Sequence, residues 1–149
     1  MARKAPEVAF RTLDGARKSL KEITAQAPAL LAFYKVTCPV CQLALPFLER
    51  LRGAGTEILP VSQNSLRESQ AFDRDFGTRT ALLDPEEENF PASNAFRITH
   101  VPTMFLVEPD GSISWTSSGF MKKELSALGQ RLGREIFRHD EEVPEAKAG

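Results

Sequence analysis

The stretch "ALLAFYKVTCPVC", residues 29–41, constrains the fold of this chain more than any other. Its first part, Ala29 to Val36, is a continuous apolar run bounded by Pro28 and by Thr37-Cys38-Pro39, the pattern of a central strand covered on both faces. Beyond it, Val40, Leu43, Ala44, Phe47, Leu48 and Leu51 recur at helical spacing up to about Arg52, with Gly53 as a stop. Pro39 suits the first helical position, whereas Pro46 falls in the helix interior, where it removes a hydrogen bond and bends the axis. The only two cysteines of the chain, Cys38 and Cys41, therefore stand where a buried strand becomes a helix.

Elements on either side complete an alternating pattern. Before the strand, "EVAFRTLDGARKSL" reads as two extended pieces around Asp14-Gly15, a dipeptide suited to a tight hairpin turn, and Leu20 to Ala27 holds one or two helical turns. After it come a second buried strand (Thr56 to Gln63) and an amphipathic helix (Ser65 to Gly77) opened by the capping-box spacing of Ser65 and Glu68. A short strand at Thr80 to Leu83, a solvated acidic turn at Glu86–Glu88 and a short helix around Phe90 to Phe96 follow. Thr103 to Ser117 is a hairpin turning at Pro109-Asp110-Gly111, and Gly119 leads into a last helix expected over Lys122 to Arg138. Such an order implies an α/β protein, a mixed sheet with helices on both faces and an N-terminal hairpin. A length of 149 residues fits one domain, placed over 1–138, and the charged residues 139–149 are expected to be a flexible tail.

Charge excludes some functions. With 19 Lys plus Arg against 20 Asp plus Glu, the net charge of -1 offers nothing to draw in nucleic acid or an anionic bilayer. No apolar run is long enough for a membrane segment, and "MARKAPEVAF" lacks the apolar core of an export signal, so a cytoplasmic location is expected, the alternative being an exported domain without its signal.

Two cysteines do not make a disulfide scaffold, and a zinc half-site would need further ligands where the chain has only two histidines, His100 and His139. No metal or cofactor is expected. As the N-cap of a helix starting at Pro39, the Cys38 sulfur would sit where unpaired backbone N–H groups converge, a position that favours the thiolate, the nucleophilic form. Cys41, one turn on and more buried, is placed to attack a mixed disulfide on Cys38 and release the bound partner.

"Cys38-Pro39-Val40-Cys41" with Pro46 behind it, "Val101-Pro102-Thr103" opening a strand about sixty residues later, and Gly119 before the last helix resemble the thioredoxin fold. "FRTLDGARKSLKEI", "ILPVSQNSLRESQAF", "LLDPEEE" and "VPTMFLVEPDGSI" make the chain similar to the redoxin and TlpA-like thiol-disulfide oxidoreductases, which share that layout with peroxiredoxins. The resemblance implies that Cys38 and Cys41 are catalytic and that Pro102 is a cis-proline facing them. It also implies that Val101, Pro102, Thr103, Thr37, Pro39 and Val40 contact the substrate, with the Val101 backbone pairing with a bound peptide. His100 and Lys35 could tune the pair. Two positions depart from the family: Thr37 replaces the tryptophan often found before the first cysteine, and Ala32 replaces a buried carboxylate that serves the second, leaving Lys35, Glu108 or water as its proton acceptor.

The function expected is thiol-disulfide exchange on protein or small-molecule disulfides, with electrons from another thiol system. A peroxiredoxin-like peroxidase is the alternative, but the Thr and Pro that family places three and seven residues before its cysteine are Lys35 and Leu31 counted from Cys38, and Cys38 and Tyr34 counted from Cys41. A non-enzymatic binding module is a third reading, disfavoured by the intact cysteine pair.

Overall fold

A computed structural model describes residues 3–149; the first two residues of the polar lead lie outside the described residues. Ten strands and five helices follow in order: β1 Arg3–Lys4, β2 Ala9–Thr12, β3 Arg17–Ser19, α1 Leu20–Ile23, β4 Ala29–Tyr34, α2 Pro39–Leu48 (extended by a 3-10 turn, Glu49–Leu51), β5 Glu57–Ser62, α3 Leu66–Phe76, β6 Leu82–Leu83, α4 Pro91–Ala95, β7 Thr103–Val107, β8 Ser112–Ser118, β9 Phe120–Met121, α5 Lys122–Arg131 and β10 Ala146–Lys147. Eight strands form one mixed sheet in the order β1-β8-β7-β4-β5-β6-β2-β3. The predicted N-terminal hairpin is β2–β3, and it closes the sheet through antiparallel pairing of β2 with β6.

All six residues of β4 are buried, as an apolar run without polar alternation requires. Leu30, Ala32 and Tyr34 face a core shared with Leu45 and Leu48 of α2, Phe72 of α3 and Leu125 and Leu128 of α5. Leu31 and Phe33 face the opposite core, with Phe10, Leu20 of α1, Ala92 of α4 and Phe96 at its end. The period of two in a strand thus puts helices on both faces of the sheet. β4 runs parallel to β5 but antiparallel to β7, so the sheet reverses direction beside its carboxyl end. Open α/β sheets place their sites at such a reversal.

The last helix is shorter than its periodicity suggested, ending at Arg131 rather than Arg138. Gly133, at φ 73°, turns the chain back, and the Arg134 N–H bonds to the Gly129 carbonyl at 2.7 Å. The return puts Ile136 into the core and the Phe137 ring 4.9 Å from that of Phe47. Residues 139–149 then run back over the molecule. Arg50, after α2, grips Glu141 through two hydrogen bonds of 2.7 Å and donates to the Ile136 carbonyl at 2.6 Å.

Hydrogen bonds from Arg50 first, and from the Arg138 N–H second, hold the Glu141 carboxyl down at about 2, against an ordinary value of 4.5. A carboxyl lowered on folding adds stability above its unfolded value and loses it as pH falls toward the folded one. The melting-temperature difference between the native chain and Glu141→Gln is therefore expected to be full at pH 7 and to shrink between about pH 4.5 and pH 2. A difference that held constant to pH 2 would contradict the ion pair.

Candidate active site

β4 aims the chain at the site, and a short loop turns it into α2. The Cys38 N–H bonds to the Lys35 carbonyl at 3.2 Å. Two side chains fix Val36 between them: Asn64, from the loop after β5, accepts from its N–H at 2.9 Å, and Gln42 of α2 donates to its carbonyl at 3.0 Å. Sequence reasoning passed over both residues. The one available signal for Asn64 was its position just past the carboxyl end of a strand parallel to β4.

Cys38 is the N-cap of α2, with Pro39 at the first helical position. Its half-buried sulfur accepts from the Cys41 N–H at 3.2 Å and lies 3.5 Å from the Val101 carbonyl oxygen, to which its S–H donates. One donor on a helix N-terminus and one acceptor across the loop hold the sulfur in place at the protein's edge. Cys41 is wholly buried in the core beneath α2. Burial pushes its thiol well up, the neighbouring Cys38 sulfur adds to the rise, and the Lys35 backbone only partly offsets it. Cys41 accordingly stays protonated at neutral pH until something removes its proton.

The Val101–Pro102 bond is cis. Pro102 is buried, Val101 half-buried, and Thr103 begins β7 opposite Phe33, its hydroxyl donating to the His100 carbonyl at 2.6 Å. Next to Cys38 in the chain, Thr37 and Pro39 are exposed and Val40 is half-buried. His100 is exposed and bonded through Nδ1 to the Thr99 hydroxyl at 2.9 Å. Together with Lys35, Gln63, Asn94 and Val101 it lines a cavity of about 200 Å³. A larger hollow of about 440 Å³, between Arg11, Asn64, Ser65 and Glu86, includes neither cysteine.

Glu108 is no candidate for the Cys41 proton. β7 runs antiparallel to β4, Thr103 pairing with Phe33 and Val107 with Ala29, so Glu108 lies at the end of the sheet opposite the cysteines, where it accepts from Ser114 at 2.5 Å. Ala32 and Cys41 are both wholly buried in the same core cluster. Among the described residues, no group of three or more His, Cys, Asp or Glu is placed to hold a metal ion.

A mixed sheet with this order, helices on both faces and a dithiol pair at the head of α2 define a thioredoxin-like fold. A putative thiol:disulfide interchange protein DsbE from Chlorobium tepidum superimposes with a TM-score of 0.73 at 19% identity, over 88% of this chain and 94% of that one. A secreted Mycobacterium tuberculosis disulfide oxidoreductase gives 0.64 at 19% identity, over 85% and 94%. The thiol-disulfide oxidoreductase ResA of Geobacillus kaustophilus is 26% identical over 126 residues, 80% of this chain and 70% of ResA. The model of the AhpC/TSA family matches residues 1–116, and the chain belongs to that family. Among the described residues, no helix is long and apolar enough to cross a membrane.

Proposed function

We propose that the chain is a thiol-disulfide oxidoreductase in which Cys38 attacks and Cys41 resolves. The supporting observation is the difference between the two sulfurs: Cys38 caps a helix at the protein edge, and Cys41 is buried one turn behind it. The Cys38 thiolate attacks one sulfur of a substrate disulfide, forming a Cys38–substrate disulfide and expelling the other sulfur as a thiolate. Cys41 then loses its proton and attacks the Cys38 sulfur, closing Cys38–Cys41 and releasing the second substrate thiolate. Two electrons pass from the pair to the substrate, and a thiol donor restores the dithiol.

Val101, Pro102, Thr103, Thr37, Pro39 and Val40 form the rim that meets the substrate, and Lys35 and His100 border it. Among the described residues, Glu108 lies at the far end of the sheet and Ala32 sits in the core with Cys41, so water entering as the substrate leaves takes the Cys41 proton. The open edge suits protein disulfides better than an enclosed pocket would suit a small ligand. ResA, DsbE and the secreted Mycobacterium relative support this activity, and the last favours an exported setting over a cytoplasmic one.

The test is reduction of insulin by the chain with dithiothreitol as donor, run beside consumption of hydrogen peroxide. Insulin reduction well above dithiothreitol alone, with peroxide consumption at background, is expected. The reverse pattern would overturn the reading in favour of a peroxidase, whose Thr and Pro positions here hold exposed Lys35 and wholly buried Leu31.

A further inference from the structure

Residues 136–149 make a strap that starts in the core and finishes at the site. Ile136 and Phe137 anchor it, the Arg50–Glu141 pair clasps it, and Val143 packs against the core. Lys122 then donates its N–H to the Glu145 carbonyl at 3.0 Å, and β10 pairs antiparallel with β9, Ala146 opposite Met121 and Lys147 opposite Phe120. The last two residues run over Gly119 and Val101. A Cβ on Gly119 would lie 2.5 Å from the Lys147 carbonyl oxygen, and one on Gly149 would lie 2.3 Å from the Val101 carbonyl oxygen. Backbone therefore meets backbone with no room for a side chain at either point. The oxygen that Gly149 crowds is the one 3.5 Å from the Cys38 sulfur.

We infer that the β9 edge and Val101 form one continuous surface for an extended polypeptide, and that residues 144–149 are its built-in occupant, which a disulfide-bearing segment must displace to reach Cys38. This rests on the reading of Cys38 as the attacking sulfur. The reason is geometric: a strand adding to a sheet edge uses the backbone groups that β10 already engages, so strap and substrate segment are mutually exclusive. β10 has only two paired residues and is exposed, whereas the clasp and core anchors lie before it. The strap can thus lift from Pro144 onward while Glu141 stays bound.

A chain ending at Val143 keeps every anchor and loses the occupant. If the strap is seated about nine-tenths of the time, its removal raises kcat/KM for insulin about tenfold. A small aromatic disulfide, which needs no strand pairing, should change less than about twofold by the same reasoning. Excess synthetic peptide of residues 144–149 should return the shortened chain to the slower rate. Lys147→Pro in the chain of residues 1–149, which breaks the ladder opposite Phe120, should reproduce the gain without shortening anything. The rate at which a bulky maleimide labels Cys38 reads the strap without any turnover and should rise in step. Unchanged or slower insulin turnover and unchanged maleimide labelling in both variants would overturn the strap. Failure of every chain to reduce even the small disulfide would instead overturn the activity, and with it any role for the strap as its regulator.

Discussion

Replacing Cys38 by Ser is expected to lower disulfide reduction by at least about a thousandfold, because a hydroxyl cannot supply the thiolate that attacks a disulfide sulfur. Few substitutions separate chemistry from folding so cleanly. Serine is itself a favoured N-cap, so its oxygen can accept from the Cys41 N–H as the sulfur does now at 3.2 Å. The melting temperature should therefore stay within a few degrees of the native chain's. Residual turnover of insulin near the native rate, with the fold intact, would remove Cys38 from the mechanism.

Replacing Cys41 by Ala is expected to stall the reaction after its first step. Its site is closed and belongs to the core cluster that holds Leu45, Leu48 and Met104, so alanine removes the thiol without leaving a buried hydroxyl there. Attack by Cys38 is unaffected, but the intramolecular resolving thiol is gone. Positioning of a reacting group is commonly worth several orders of magnitude, so turnover should fall by about a hundredfold or more. What accumulates is a mixed disulfide approaching one per chain.

The residues around Cys38 were legible in the sequence because each carries a local signal. The apolar run of β4, the helical spacing of α2 and the Ser65 capping box are patterns over a few neighbouring residues, and they formed as read. The end of α5 was not legible. Leu125, Leu128, Leu132 and Ile136 continue a helical apolar stripe straight through Gly133, and only the folded chain reveals that this glycine reverses direction. Asn64 and Gln42 escaped notice for a related reason: a polar residue in a loop or first turn has no pattern until its partner, here Val36, is brought to it. Residues 139–149 read as solvated charge, yet Glu141 meets Arg50 from 91 residues away, a pairing set wholly by tertiary structure.

The division of labour between the two sulfurs is tested most directly by mapping the species trapped in the Cys41→Ala chain. After incubation with a disulfide-bearing peptide and quenching with acid, proteolysis and mass spectrometry locate the adduct. A peptide disulfide on Cys38, formed at the rate at which the native chain consumes substrate, is the predicted result. If instead that chain gave no adduct while the Cys38→Ser chain carried one on Cys41, the buried sulfur would be the nucleophile and the assignment would be wrong.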